Sequence, residues 1–206
     1  MRKRKFGYVL LFLLVVSGFA GMSTNNSLTK DERKFASNHL KETRNDLFKV
    51  LKGLSEEQLN YKASPDRWSV KECAYHIALS ENNLWNWIEN MIKTPANPER
   101  RPDIKTTDAA LIKGIENRDT RVKTQESFEP KNAPWKSLPA ALAAFKDARN
   151  KHITYIKTTT EDLRNHIADS PIGALDAYQM VLFLSAHTNR HLQQIEEVMA
   201  DPKFPK

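Results

Sequence analysis

Residues 180–199 read MVLFLSAHTNRHLQQIEEVM. Met180, Leu184, His187, His191, Ile195 and Val198 recur in steps of four, three, four, four and three. At about 100° per residue they fall on one side of an α-helix. The apolar stripe of this helix therefore carries two histidines one turn apart at its centre, both pointing inward. Burying two imidazoles is costly unless their nitrogens find partners. A hydrogen-bonded structural pair is one solution and a shared metal ion is the other. A metal needs at least a third protein ligand.

Working outward, three more segments show the same period. TKDERKFASNHLKETRNDLFKVLKGL, from Thr29, opens with the Thr29/Glu32 capping-box pair and has Gly53 in its final turn. Its stripe is Ala36, Leu40, Thr43, Leu47, Val50 and Leu54. A second capping pattern, Ser55 with Gln58, starts a short turn. The next long helix opens at Ser69 with Glu72 three residues on, and carries Val70, Cys73, Ile77, Leu84, Ile88 and Met91 on one face. KTPANPERRPD stops it, because three closely spaced prolines cannot continue a helix.

Residues 105–135 are weakly patterned, with a short helix around Ala109–Ile115 and otherwise loop. A connection of that length is uncommon unless it has its own role, such as lining a pocket. The third long helix begins at Ser137, with Pro139 in the first turn and Leu138, Leu142, Phe145, Ile153 and Ile156 as its stripe. TEDLRNHI is a turn that leads through Pro171 and Gly173 into the last helix, roughly 174–200. Four long amphipathic helices with no alternating strand pattern predict an all-α antiparallel four-helix bundle, with a long loop region between the second and third helices.

The N-terminus, MRKRKFGYVLLFLLVVSGFAGMSTNN, sets four basic residues before an apolar run from Phe6 to Ala20. This is the layout of a signal peptide over residues 1–20, with Gly18 and Ala20 as small residues for cleavage. An uncleaved membrane anchor is the alternative reading, and the run is at the lower limit for one. Residues 21–27 then form a linker, 28–200 the bundle domain and 201–206 a tail. The expectation is export, to the periplasm or beyond, with no stable membrane insertion once the leader is removed.

The 206 residues carry a net charge of +7. Removing residues 1–20 takes four of the 32 basic residues and none of the 25 acidic ones, leaving 28 against 25, or +3. No basic stripe or aromatic platform remains, so nucleic acid is excluded as a partner. The single cysteine, Cys73, cannot form a disulfide within the chain.

On the residues alone, His76 on the second long helix and His152 on the third compete as third ligand, with His39 behind them and His166 in the turn before the last helix. Each has an ordinary reading as a satisfied interior or surface histidine. Cys73, one turn before His76, reads as a small buried hydrophobe, and Glu72 as the partner of Ser69. Arg149 interrupts the third stripe between Phe145 and Ile153. It is read as laying its stem along the core and its head in solvent.

DRWSVKECAYHIALSENNLW, followed far downstream by SAHTNRHLQQI, resembles the DinB-like superfamily, which includes the YfiT-type proteins. The resemblance spans about Leu28 to Met199. It rests on Trp-Ser-Val-x-Glu at the start of a helix, the histidine seven residues after that serine, and H-x-x-x-H-x-x-Q in the last helix. It implies a four-helix bundle in which His76, His187 and His191 hold a divalent metal, zinc or nickel. Gln194 matches the family glutamine without being a ligand, and His39, His152 and His166 keep their ordinary readings.

The activities implied are diverse: transfer of a low-molecular-weight thiol, isomerisation of thiol adducts, or hydrolysis. A metal would lower the pKa of a bound thiol or water in each. A leader disfavours the thiol chemistry, which belongs to the reducing cytoplasm. The expectation is therefore an exported metal-dependent hydrolase or transferase acting on a small molecule. The alternative is a non-catalytic stress or interaction module with structural histidines. For hydrolysis no acidic residue is clearly placed as a base, and Glu81 points elsewhere. Homodimer formation is implied by analogy alone.

Overall fold

The structure is a computed structural model that describes residues 27–119 and 122–206. The leader and most of the linker lie outside the described residues. No helix among the described residues is long and apolar enough to cross a membrane.

Among the described residues six α-helices form, at α1 Lys30–Leu51, α2 Glu56–Asn60, α3 Val70–Lys93, α4 Asp108–Glu116, α5 Leu138–Thr158 and α6 Ala177–Met199. The capping pairs decide where they begin. Thr29/Glu32, Ser55/Gln58 and Ser69/Glu72 each exchange both side-chain to backbone hydrogen bonds expected of a capping box. Ser137 caps α5 with Pro139 in the first turn. Gly53 lies beyond the end of α1 with φ +80°, the left-handed conformation that ends helices and that glycine adopts without strain.

One element was not expected. Ile167–Ser170 (β1) and Gly173–Asp176 (β2) pair as an antiparallel hairpin, Ile167 opposite Asp176 and Ser170 opposite Gly173. The last helix accordingly starts at Ala177 and not at 174, behind a fourth capping box in which Asp176 accepts from the Gln179 backbone. Four residues per strand are too few for alternation to show.

α1, α3, α5 and α6 make the expected four-helix bundle. α1 and α3 each pack against both α5 and α6, so α1 stands diagonally from α3 and α5 from α6, while α3 and α5 are neighbours. Residue pairings give the directions. Phe48 meets Phe145 while Arg33 reaches the Ile156 carbonyl, so α1 and α5 are antiparallel. α3 and α6 are antiparallel too: His76 faces His191, and at the far end His166 links the Met91 carbonyl to the Ala177 amide. Glu81 meets Arg149 and Trp85 meets His152 and Tyr155, so α3 and α5 run in the same sense.

Parallel neighbours cannot be joined by a tight turn, because the chain must return the length of a helix, about 36 Å for 24 residues. Residues 94–137 make that crossing. They contain α4, which packs on α6, and the short turns Pro98–Asp103, Glu126–Phe128 and Pro130–Asn132. The long loop region is thus a structural requirement of this helix order.

Two apolar clusters fill the bundle. One, around Leu40, Ile88, Ile156 and Leu182, lies toward the hairpin. The other, around Leu47, Ile77, Phe145 and Ile195, lies toward the start of α3. Polar side chains occupy the level between them.

Candidate metal centre

His76 lies on the second turn of α3, and His187 and His191 lie one turn apart in the middle of α6. The antiparallel packing of these helices brings the three imidazoles together. Nε2 of His76 is 3.0 Å from Nε2 of His191 and 3.4 Å from Nε2 of His187, and the latter two are 3.2 Å apart. His76 and His191 are buried and His187 is partly exposed.

The hydrogen-bond partners fix the tautomers. His76 Nδ1 lies 2.7 Å from the Phe128 carbonyl oxygen, which can only accept, so Nδ1 carries the hydrogen. His191 Nδ1 donates in the same way to Gln194 Oε1 at 2.9 Å. A neutral imidazole has one N–H, so both Nε2 atoms present bare lone pairs to each other at 3.0 Å. A hydrogen on His187 Nε2 could serve only one of them. Three imidazole nitrogens converging in this way form a set of donors that one cation could share.

A proton does not fill that role at neutral pH. Burial pushes the His76 pKa down to about 4. Burial also drives His191 and His187 well below the ordinary histidine range, and the neighbouring imidazoles add to the shift. A divalent ion does fit. Donors about 2.0–2.1 Å from one ion at angles between square and tetrahedral lie roughly 2.9–3.4 Å apart, the range of the three separations. Orienting a metal-binding histidine through a hydrogen bond from its other nitrogen is the usual outer-sphere arrangement.

The surroundings are largely aromatic. Trp68, the residue before the Ser69 cap, sets its ring 4.7 Å from His76 and 6.0 Å from His191, and Phe183 stacks on His187 at 5.9 Å. Ser80 Oγ is 3.5 Å from His76 Nε2. A cavity of about 470 Å³ opens beside this cluster, with Trp68, His191 and Gln194 in its lining.

The other sequence candidates lie elsewhere. His39 stacks on Phe35 and faces Glu116 at 3.5 Å. His166 is buried against the Met91 carbonyl. His152 stacks flat on Trp85 at 3.7 Å and bonds Glu81 at 2.7 Å. The Cys73 thiol is buried and its pKa is pushed up to about 12, which keeps it protonated. Glu72 spends its carboxylate on the Ser69 amide and on Lys62.

Arg149 is the correction. Its head is not in solvent; the whole side chain is buried. The guanidinium donates twice to Glu81, at 2.8 and 2.6 Å, and also to Thr43, Thr188 and the Leu40 carbonyl. Burial pushes the Glu81 carboxyl up, but Arg149 and the His152 hydrogen bond outweigh it and hold Glu81 below the usual range. The signal was in the stripes. Glu81 continues Ile77 by four and precedes Leu84 by three, so opposite charges occupied core positions on two helices.

With the histidine cluster in view, the relatives can be placed. The model of the DinB superfamily matches residues 39–195, most of the chain. The chain belongs to the DinB superfamily. The Bacillus subtilis (strain 168) protein YuaE, which is uncharacterized, is 23% identical over 159 residues, covering 76% of this chain and 93% of YuaE. YfiT from Bacillus subtilis matches with a TM-score of 0.57 and 14% identity, over 84% of this DinB chain and 89% of YfiT. YfiT is described as a probable metal-dependent hydrolase with an unusual four-helix bundle topology.

Proposed function

We propose that this DinB-superfamily protein holds one divalent metal, zinc or nickel, through Nε2 of His76, His187 and His191, and uses it to transform a small molecule by hydrolysis or group transfer. The observation that carries this reading is the convergence of the three Nε2 atoms to within 3.0–3.4 Å of one another. Three protein ligands leave a coordination position for water or substrate, and the bound metal would supply a water or thiol nucleophile at neutral pH.

The protein's own residues have defined parts in this. Phe128 and Gln194 hold the His76 and His191 rings in the tautomer whose Nε2 is free to bind. Trp68 shields the cluster and offers an apolar face to a substrate in the cavity. No carboxylate is among the hydrogen-bond partners of the three rings, and Glu81 is committed to Arg149 and His152.

The leader read in residues 1–20 supports export of the mature domain, which N-terminal sequencing of protein from cell fractions tests. The metal reading is tested by elemental analysis of protein purified without a histidine tag. One equivalent of metal is expected in wild type and little in His191→Ala. Metal-free wild type, with His191→Ala binding added zinc or nickel equally well, would overturn it. A screen of esters, amides and thiol electrophiles on loaded protein then separates hydrolysis from transfer. If no substrate turns over, a binding module with a metal centre is left.

A further inference from the structure

The +3 charge that remains after the leader is discounted is not spread over the surface. The cavity beside the histidine cluster is lined by Lys62, Arg67, Arg118, Lys123, Lys131 and Arg190, against Asp66, Glu72 and Glu129. Six basic and three acidic side chains give this one opening an excess of +3, equal to that of the whole chain beyond residue 20.

Part of this charge is neutralised locally. Lys62 pairs with Glu72 at 2.7 Å and Lys131 with Glu129 at 2.6 Å, both at the rim. The guanidiniums gather around one side of the opening. Arg118 grips Glu197 with two bonds of 2.7 and 2.8 Å. Those bonds first, and then the fields of Arg67 and Arg190, hold Glu197 below the usual carboxylate range. Glu197 thus lies in the field of three arginines. Arg190 is also held by the Ile115 and Asn117 carbonyls.

Half-buried like charges around a cavity are costly unless an anion shares it, and a cleft with low-dielectric walls concentrates their field. The volume, about 470 Å³, suits a small molecule and not a polymer. The walls differ in character: Trp68 is flat and apolar, the arginines are cationic, and His191 with Gln194 marks the side toward the metal ligands.

We propose that the cavity recognises a small molecule bearing an anionic oxygen group, carboxylate or phosphoryl, which Arg67 and Lys123 engage beside Arg118 and Arg190. An apolar portion lies on Trp68 and the reacting end faces the three histidines. This deepens the metal-site reading and rests on it for the reacting end only. The anion is selected by the basic wall, to which the loop before α3, the segment between α4 and α5, and α6 through Arg190 contribute. A planar guanidinium fork suits either oxygen group.

The test uses the full protein with whatever metal it retains, titrated calorimetrically with phenylphosphonate, benzoate and neutral benzyl alcohol. Both anions are expected to bind at least about tenfold more tightly than benzyl alcohol, and less tightly as salt is raised. The tighter of the two anions assigns phosphoryl or carboxylate. Arg67→Gln should weaken the anions by about tenfold and Lys123→Gln by about threefold, with metal content unchanged in both. Lys123 is exposed, so its substitution remains informative if Arg67→Gln folds poorly.

Equal binding of benzyl alcohol, or anion binding unchanged in folded Arg67→Gln and Lys123→Gln, would overturn the proposal. The two readings fail separately. Absent metal with anion binding sensitive to Arg67 and Lys123 leaves the basic wall standing. Full metal content with insensitive anion binding removes only the wall.

Discussion

Two buried polar clusters share the middle of this bundle, five residues apart along α3. In the first, Glu81, Arg149, His152, Thr43 and Thr188 draw together side chains from all four long helices. Every arm of the guanidinium has an acceptor, and Glu81 receives hydrogens from two side chains. In the second, His76, His187 and His191 turn acceptors toward one another. The same helices and a similar depth produce a closed network in one place and an open one in the other. A closed network needs nothing further, whereas the open one offers its free acceptors to a cation supplied from outside, as the metal reading proposes.

The contrast can be broken at several points. The largest effect should come from Arg149→Ala, which strands Glu81 in the core. A loss of about 3–5 kcal/mol in urea unfolding is expected, as for removal of one partner of a buried ion pair. Pairing Arg149→Met with Glu81→Gln should recover much of it, because the buried charge leaves with its partner. A double variant no more stable than Arg149→Ala would mean that the network is not the source of the cost.

Next comes Gln194→Leu, which removes the acceptor that orients His191. Metal affinity should fall about 10–100-fold in a competition titration with a chelator, with the fold intact by circular dichroism. The cluster's openness is probed directly by His191→Leu in excess chelator. A bare buried lone pair costs about 1–3 kcal/mol, so the variant should be at least as stable as metal-free wild type. Marked destabilisation would show that the histidines are partners in a satisfied network after all. With metal present the order reverses, since only wild type gains binding energy.

The pH dependence follows from the same rings. Burial lowers the folded pKa of His76 from 6.5 to about 4 and drives His187 and His191 well below 6.5. Below pH 6.5 the unfolded chain takes up protons that the folded chain refuses. Metal-free stability should therefore be level above pH 6.5 and decline as the pH falls from there toward 4. Each ring adds at most about 1.4 kcal/mol per pH unit to the slope. Thermal melts in chelator should show a shallower decline in His76→Leu. The smallest change belongs to Lys62→Ala, whose ion pair with Glu72 is exposed. Less than about 1 kcal/mol is expected by urea unfolding, with metal binding unaffected.

Much of this was written in the sequence, for identifiable reasons. Capping boxes announce helix starts through local hydrogen bonds, and Thr29, Ser55 and Ser69 each began a helix where their spacing said. The phase of His187 and His191 along α6 fixed their direction. The third ligand was harder, since His76 and His152 both stand near apolar faces, and only the family resemblance chose between them. The structure brings His76 to the pair and gives His152 to Glu81. The Glu81–Arg149 pair was readable from charges at stripe positions, but the reach of an arginine side chain allowed the wrong destination for its head. The hairpin at 167–176 and the direction of α5 relative to α3 depend on contacts between distant residues, which no local pattern records.

The oxygen that orients His76 belongs to the main chain of residue 128. Any amino acid at that position supplies the same carbonyl, so selection can hold this contact constant while the side chain drifts. Insertions, deletions or a changed turn between Glu126 and Asn132 would move it; a point substitution at Phe128 alone need not. Across descendants of this gene, the constraint would be recorded in the spacing of that segment and hardly at all in its lettering.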